Sequence, residues 1–300
     1  MANGKRILIL IALGLIAQSA AALNNRSAVS INGLDTNACT VAAPCRTFTT
    51  ALFATAPDGE VVALDSAGYG PFAIGQNVSV SGAPGIHAAI TASSGTAIDI
   101  IAGTDVYISN LTILGTGGGV NGIRNTACTF VHVNECLIKG FSGSGILNQG
   151  TSALHLVVDH TTVNLCGTGI NLDGGLGAID NCAIHECSTA GVGVYNNTYA
   201  LPTGYEVTIV TMTTFRWNGV GLNISSDGST HGVSVRVYQC SFSGDGYGVK
   251  IAGTNGALAV VNLFASFIES VYGSGNYEMA SPGNNYIHLE QATLTPYPLQ

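Results

Sequence analysis

The sequence ISNLTI at Ile108–Ile113 recurs in altered form along the chain. The copies are VNECLI, VDHTTV, IDNCAI, VTMTTF and VYQCSF, which end at Ile138, Val163, Ile184, Phe215 and Phe242, and a less regular copy, NLFASF, ends at Phe267. Within each copy alternate residues are apolar, which is the period of a strand with one face buried. The chain is therefore predicted to contain a repeated strand unit of about two dozen residues.

A Gly or Ala followed by a β-branched residue forms a second repeat, in phase with the first. It occurs at Ala97-Ile98, Gly122-Ile123, Gly145-Ile146, Gly169-Ile170, Gly191-Val192, Gly219-Val220 and Gly248-Val249. The intervals between the β-branched residues are 25, 23, 24, 22, 28 and 29. The two patterns stay in phase although their spacing varies along the chain. This indicates a solenoid in which each repeat forms one coil.

Coils that stack in register place equivalent side chains above one another, about 4.8 Å apart. The last position of the first repeat then predicts an inward ladder of Ile113, Ile138, Val163, Ile184, Phe215, Phe242 and Phe267. A second buried ladder is predicted two residues earlier, at Leu111, Cys136, Thr161, Cys182, Thr213, Cys240 and Ala265. Because cysteine alternates there with Thr, Ala and Leu, we interpret the three cysteines as small buried fillers with free thiols.

The other cysteines support different interpretations. Cys39 and Cys45 flank the short segment TVAAP and are predicted to form a disulfide. Cys166 and Cys187 occupy equivalent places in adjacent coils, which is compatible with two stacked thiols or with a bridge. A zinc site is not indicated, because the sequence contains no Cys-x-x-Cys pair.

Several repeat architectures have periods of this size, and composition separates them. Leucine-rich repeats need a leucine-dense consensus, helical repeats need a 3.6-residue period, and propeller blades need about forty residues. The chain has none of these features, and it contains 40 glycines. The predicted fold is an all-β, right-handed parallel β-helix with a short N-terminal capping helix. Longer turns are predicted at residues 196–205 and 225–232, where the interval grows.

The N-terminal stretch CTVAAPCRTFTTALFATAPDGEVVALDSAGYG resembles the entry to pectin-lyase-like β-helix proteins. In that family a short helix caps the stack and is followed by a turn, a strand and a Gly/Tyr turn. The resemblance implies a cap helix at Thr47–Ala56, a turn at Pro57–Gly59, a first strand at Glu60–Leu64 and a last element at Gly68–Gly70.

The first residues have the pattern of a secretory signal peptide. Lys5 and Arg6 precede an apolar run at residues 7–17, and small residues follow at 19–22. An uncleaved anchor helix is the alternative, although the run is short for a membrane span. We predict a signal peptide at 1–22, an N-terminal segment and cap at 23–57, a β-helix at 58–275 and a tail covering the last coil at 276–300. The protein is predicted to be secreted or periplasmic, with no membrane span after signal removal.

Charge excludes one class of partner. Without Lys5 and Arg6 the chain has seven basic residues against 17 acidic ones. Such an acidic chain lacks the basic patch that nucleic-acid binding requires. No cofactor is predicted. Lyases of the resembled family cluster carboxylates around calcium, but no Asp-x-Asp-type motif supports calcium binding here.

The familiar catalytic motifs of the resembled family are not present. Polygalacturonase-like hydrolases combine Asn-x-Asp with an Asp-Asp pair, Gly-His-Gly and Arg-x-Lys, whereas this chain has only Asn171-Leu172-Asp173 and His231-Gly232. Inverting hydrolysis requires paired carboxylates, and Asn-x-Asp is also an ordinary turn sequence. Whether the protein is an enzyme therefore stays open, and a polysaccharide lyase or hydrolase is the class to test.

Reading the coils in register predicts an outward-facing patch of polar residues. One column holds Leu114, Lys139, Asn164, His185, Arg216, Ser243 and Ile268, and its neighbour holds Glu186, Trp217 and Glu269. The preceding turn of the coils holds Asn134, Glu135, Asp159, His160, Asp180 and Asn181. The candidate catalytic residues are Asp159, Asp180, His160, His185 and Arg216, and the candidate binding residues are Trp217, Glu186 and Lys139. The alternative is that these side chains are solvated turn residues.

Three functions are compatible with this sequence. The first is an exported β-helix protein that presents a glycan-binding or other non-catalytic surface, with a polysaccharide or cell-surface glycan as partner. This function is favoured because the only tryptophan, Trp217, lies in the predicted patch, and exposed aromatic rings stack on sugar rings. The second is a polysaccharide lyase or glycoside hydrolase with an atypical site. The third is a structural or adhesive surface protein.

Overall fold

The computed structural model describes residues 23–150, 154–196, 206–227, 232–254, 257–281 and 284–287. In chain order its first elements are β1 (Asn24–Val29), α1 (Phe48–Ala54), β2 (Thr55–Ala63), β3 (Ala67–Tyr69), β4 (Phe72–Ile74), β5 (Val78–Gly82), β6 (Ala88–Ile100), β7 (Asp105–Ser109), β8 (Thr112–Asn125), β9 (Phe130–Asn134), β10 (Leu137–Lys139), β11 (Ser144–Gln149), β12 (His155–Asp159), β13 (Thr162–Asn164) and β14 (Thr168–Asp173). The later elements are β15 (Leu176–Asp180), β16 (Ala183–His185), β17 (Ala190–Asn196), β18 (Glu206–Thr211), β19 (Thr214–Arg216), β20 (Val220–Ser226), β21 (Val233–Tyr238), β22 (Ser241–Ser243), β23 (Tyr247–Gly253), β24 (Ala259–Phe264), β25 (Phe267–Ile268), β26 (Val271–Gly275), β27 (Tyr277–Ala280) and β28 (Tyr286–Ile287).

The strands form three parallel faces. Face 1 is an 11-stranded sheet in the order β1-β2-β5-β7-β9-β12-β15-β18-β21-β24-β27. Face 2 consists of the short strands β3, β10, β13, β16, β19, β22, β25 and β28, together with the first parts of β6 and β8. Face 3 consists of β4, β11, β14, β17, β20, β23 and β26, together with the last parts of β6 and β8. Each coil visits the three faces in turn, so the predicted parallel β-helix is confirmed.

Two sharp corners separate the faces. At the first corner, between faces 1 and 2, one residue of each coil adopts a left-handed backbone with φ of 44° to 53°: Asn110, Glu135, His160, Asn181, Met212, Gln239 and Ala265. At the second corner, which follows face 2, the equivalent residues have φ of 54° to 84°: Gly140, Leu165, Glu186, Trp217 and Gly244. A left-handed residue turns the chain in one step, so the residues on either side can both continue strands.

The inward ladder forms the core, as the repeat predicts, up to its last member. Ile113, Ile138, Val163, Ile184, Phe215 and Phe242 are fully buried, and the rings of Phe215 and Phe242 stack with centroids 4.4 Å apart. The predicted positions of Phe267 and Ala265 are wrong by one residue. Ile268 pairs with Phe242 and is buried, whereas Phe267 pairs with Ser241 and is 40% exposed.

The register of face 1 causes this shift. Leu263 pairs with Val237 and Phe264 with Tyr238, which places left-handed Ala265 opposite left-handed Gln239. The buried residue beside Cys240 is therefore Ser266, whose Oγ accepts a hydrogen bond from the Cys240 N–H at 3.2 Å. A slip of one residue moves every side chain to the opposite face of a strand.

The N-terminal end is closed by the predicted cap. Helix α1 begins after Thr47, whose side chain accepts a hydrogen bond from the Thr50 N–H, and it buries Phe48, Ala51 and Leu52. It is shorter than the predicted helix because Thr55 already belongs to β2, which also makes that strand start before the predicted Glu60. The disulfide between Cys39 and Cys45 is present. Strands also lie outside residues 58–275, since β1 precedes that range and β27 and β28 follow it.

The six other cysteines are buried free thiols, namely Cys128, Cys136, Cys166, Cys182, Cys187 and Cys240. Burial raises the pKa of Cys136 and Cys182 to about 12. This confirms the interpretation of the ladder cysteines as core fillers, and it resolves the Cys166 and Cys187 pair as stacked thiols.

Some predictions concern residues outside the described ranges: the signal peptide, His231, most of the two predicted longer turns and the end of the tail. In the described part of the chain, no helix has the length and apolar character needed to cross a membrane.

Candidate functional site

The outward column at the end of face 2 is present, except for its last predicted member. Leu114, Lys139, Asn164, His185, Arg216 and Ser243 are successive register partners. Ile268 points inward instead, for the register reason given above, and Glu269 is the residue that follows it. Lys139 and Arg216 are exposed, and His185 is half-buried between neighbouring coils.

Trp217 lies at the second corner, one residue after this column. Its indole is 58% exposed, and the Arg216 guanidinium carbon lies 4.7 Å from the ring centroid. The ring also lies against Gly244, where an added Cβ would be 2.5 Å from the indole Cδ1. Gly244 therefore provides the space for the indole, and Arg216 covers part of it through a cation–π contact. The ring is a supported and accessible platform.

The backbone explains why the second-corner side chains form one line along the stack. At each of these corners an N–H donates to the carbonyl of the next coil: Gly140 to Asn164 at 3.2 Å, Leu165 to His185 at 3.3 Å, Glu186 to Arg216 at 3.0 Å and Trp217 to Ser243 at 3.2 Å. Glu186 is therefore one coil away from Trp217, and its carboxylate lies 3.8 Å from the His185 Nδ1.

A shallow groove of about 300 Å³ continues this line away from Trp217. It is lined by Gly117, Gly140, Phe141, Ser142, Leu165, Cys166, Gly167, Glu186 and Ser188. Small residues, the exposed Leu165 side chain and one carboxylate give this groove a mixed polar and apolar lining. We call the line from Gly244 through Trp217 and Glu186 to Gly140 the second-corner track.

Two carboxylates support the track next to Trp217. The Oδ1 of Asp245 accepts hydrogen bonds from the Asn218 N–H at 2.7 Å and from its Nδ2 at 3.0 Å. Its Oδ2 is buried and has no hydrogen-bond partner among the described residues. The Gly244 N–H donates to the Glu269 Oε2 at 2.6 Å.

These surroundings change the ionisation of Asp245. Burial, together with the negative charge of Glu269, raises its pKa to about 6, although the hydrogen bonds from Asn218 act in the opposite direction. The sequence did not single out Asp245, because its burial depends on Gly221 of the neighbouring coil, where an added Cβ would lie 2.9 Å from the Oδ2.

The remaining predicted residues lie at the first corner. The Nδ1 of His160 is 2.7 Å from the Oδ1 of Asp159. Asp180 is the register partner of Asp159. Both of its carboxylate oxygens accept hydrogen bonds, from the Thr211 hydroxyl and from the Asn181 Nδ2. The Asp180 carboxylate is therefore engaged by hydrogen bonds from neighbouring side chains, whereas His160 is exposed.

A larger groove of about 450 Å³ runs beside the first corner. It is lined by Gly85, Ile86, His87, Asn110, Leu111, Thr112, Glu135, Cys136, Leu137 and His160. We call it the first-corner groove. It adds His87 and Glu135 to the candidate residues. No repeat pointed to His87, because only the stacking of the coils brings it beside Thr112, whose hydroxyl lies 3.4 Å from its Nδ1.

The predicted patch is therefore divided between two corners. Asp159, His160 and Asp180 lie at the first, and Lys139, His185, Glu186, Arg216 and Trp217 lie at or beside the second. A three-residue strand of face 2, about 10 Å long, separates the corners. In the part of the chain that the structure describes, no three His, Cys, Asp or Glu residues are grouped closely enough to hold a metal ion.

The comparisons identify the fold. No known family profile and no curated protein matches the sequence. Among solved structures, the pectate lyase Pel9A aligns with a TM-score of 0.59 at 11% identity, covering 88% of this chain and 78% of that chain. The chain and this pectate lyase therefore share the parallel β-helix fold.

A second solved structure, XylC in complex with xylose, aligns with this β-helix protein with a TM-score of 0.57 at 7% identity. The alignment covers 83% of this chain and 70% of the other. Identities this low show the common fold and do not transfer a site.

Proposed function

We propose that this β-helix protein is exported and binds polysaccharide chains along the second-corner track. The supporting observation is Trp217, which is 58% exposed and whose ring lies against Gly244 and Arg216. A sugar ring has apolar C–H faces, and an aromatic ring that is already fixed in place binds them without losing side-chain freedom.

The shape of the track fits an extended chain. Its four steps from Gly140 to Gly244 span about 19 Å at the strand spacing. Because successive coils run parallel and in register, the track presents a similar backbone geometry at every step. A polymer of repeated units fits such a surface better than a compact ligand does.

Polar groups beside the track supply hydrogen bonds to sugar hydroxyls. Glu186 accepts, Arg216 and Lys139 donate, and His185 lies between them in the adjacent column. Glu186 and Lys139 are predicted as binding residues and His185 and Arg216 as catalytic ones, and their arrangement in two adjacent lines supports a common ligand.

Export is supported by the disulfide between Cys39 and Cys45 and by the signal-like pattern of residues 1–22. The pectate lyase and XylC structures share the fold, and one of them is a complex with xylose. Both facts favour a carbohydrate ligand over a purely structural role.

The test is a glycan array followed by calorimetry on the best ligand. Trp217→Ala is expected to weaken binding about fivefold or more, since an aromatic anchor that the ligand buries contributes more than about 1 kcal/mol. Tyr107→Ala is the matched control, because this aromatic side chain is 44% exposed on face 1, away from the track. Absence of binding to every glycan, or unchanged affinity in Trp217→Ala, would refute the proposal.

A further inference from the structure

Face 1 presents an outward column of side chains that is apolar in the middle and carries opposite charges towards its two ends. We call it the face-1 column. Its members are successive register partners on the 11 strands: Arg26, Glu60, Ser79, Tyr107, His132, Val157, Ala178, Ile209, Arg236, Asn262 and Ala280. Glu60 lies on the second strand of the sheet and Arg236 on the ninth, so about 34 Å separate their backbones.

The middle of the face-1 column is apolar and accessible. Tyr107 is 44% exposed and Ile209 is 37% exposed, and Val157 and Ala178 between them are half-buried. Phe130 enlarges this surface, since its ring centroid lies 5.9 Å from that of Tyr107. A contiguous apolar surface with polar residues at its rim is typical of a protein interaction site.

The two charged positions are available to a partner. Arg236 is exposed, and no ion pair joins it to a carboxylate in the described part of the chain. Glu60 accepts from the Arg26 Nε at 3.0 Å, with side chains that are 39% and 62% exposed. An exposed pair of this kind contributes little, so Glu60 can also pair with a second cation.

We propose that face 1 is the interface of a homodimer in which two solenoids pack face to face and run in opposite directions. The twofold axis lies parallel to the strands, between β9 and β12. It places the two face-1 columns over each other in reverse order, so that Glu60 of each chain lies opposite the partner's Arg236. Each charge pair therefore occurs twice, as an isologous interface requires.

The apolar residues fit the same arrangement. The large Tyr107 lies opposite the partner's Ala178, and His132 lies opposite the partner's Val157 beside the axis. If the two solenoids ran in the same direction instead, each residue of the column would lie opposite its own copy. Arg236 would then face the partner's Arg236, and like charges in contact oppose association. Charge complementarity therefore selects the antiparallel dimer.

The size of face 1 is sufficient for a stable dimer. Ten strands overlap in this arrangement. With about five residues in each strand, the contact covers roughly 800 Å² of each chain. Stable interfaces bury about 800 Å² per partner. The second-corner track lies between faces 2 and 3, so both tracks stay free in the dimer and dimerisation does not depend on the proposed function.

The test is sedimentation velocity at a series of protein concentrations, with an expected mass of twice that of one chain. Arg236→Glu should raise the dissociation constant of the dimer at least about a hundredfold, because like charges then meet at two places. Adding Glu60→Arg should restore the dimer, since each chain then carries both charges in exchanged positions. Lys250→Glu makes the same charge change on face 3 and is the matched control, with an unchanged dissociation constant.

Two results would overturn the dimer. One is a chain that stays monomeric up to about 100 µM, and the other is a dimer that Arg236→Glu does not weaken. Its direction is tested with a spin label on Ser79→Cys. The two labelled backbones should lie about 25 Å apart in the antiparallel dimer, against about 10 Å if the solenoids run in the same direction. The shorter distance would refute the antiparallel packing.

Dimerisation and glycan binding can fail separately. Trp217→Ala should weaken glycan binding and leave the dimer intact, whereas Arg236→Glu should separate the chains and leave the affinity of each track unchanged. Glycan binding by a monomeric wild-type protein would refute the dimer alone, and a dimer that binds no glycan would refute the track alone.

Discussion

Replacing Asp245 by asparagine should make the protein more stable at neutral pH and leave its stability unchanged at pH 4. Asp245 has a pKa of about 6 in the folded protein, against an ordinary value of 3.8, because burial opposes its ionisation. Between these two values the unfolded chain loses the proton while the folded chain keeps it. The stability of the wild-type protein therefore falls as pH rises from about 4 to about 6, and it levels off above that.

The magnitude follows from the same difference in pKa. This pKa difference corresponds to a change of at most about 3 kcal/mol in the free energy of unfolding. Solvent screening at this partly exposed corner reduces the expected change to about 1–2 kcal/mol. The asparagine side chain keeps an oxygen that can accept the two hydrogen bonds from Asn218. The substitution therefore removes the charge and retains the contact.

The assay is urea unfolding of both proteins from pH 4 to pH 8. The expected difference in unfolding free energy is near zero at pH 4, grows between pH 4 and pH 6, and stays constant above. Asp35→Asn is the control with the opposite sign. Burial acts to raise the pKa of Asp35, but hydrogen bonds from Thr47 and Arg46 outweigh it and lower the pKa. Asp35→Asn should therefore destabilise at neutral pH and lose this effect in acid. A gain for Asp245→Asn that is equal at all pH values would refute the electrostatic reasoning.

Three other predictions concern the platform, the core and the thiols. Gly244→Ala should destabilise by about 1–2 kcal/mol through its left-handed backbone, and it should weaken glycan binding because the new Cβ displaces the Trp217 indole; unchanged affinity would contradict the role of Gly244. Ile184→Ala should lower the unfolding free energy by about 2–5 kcal/mol, since Ile184 is fully buried in the inward ladder, whereas Thr214→Ala on the exposed side of face 2 should change it little. The six free cysteines should not react with a thiol reagent at pH 8 until denaturant is added, because burial raises their pKa values; rapid labelling of the folded protein would contradict their burial.

The stacking of coils was accessible from sequence because its signal is local and repeated. Alternation of apolar residues marks each strand, and recurrence of the same motif marks each coil. The register of six consecutive copies agrees with the prediction, from Ile108 through Val237 in face 1. The seventh copy was misplaced by one residue, because NLFASF and LFASFI both alternate. The deciding factor there was the left-handed corner at Ala265, which the sequence does not mark.

For the candidate site, too, some positions follow from the repeat and others depend on the tertiary structure. Sequence alone determined that Lys139, His185 and Arg216 share one column and that Trp217 follows it, because these places are set by the repeat. The repeat also places Asp159 and His160 on the preceding turn with Glu135, whereas only the tertiary structure decided that His87 lines the same groove. It also decided that Asp245 is buried against Gly221. The physical reason is that a repeat predicts which residues stack, whereas corner geometry and contacts between coils determine which way the side chains turn and what they meet.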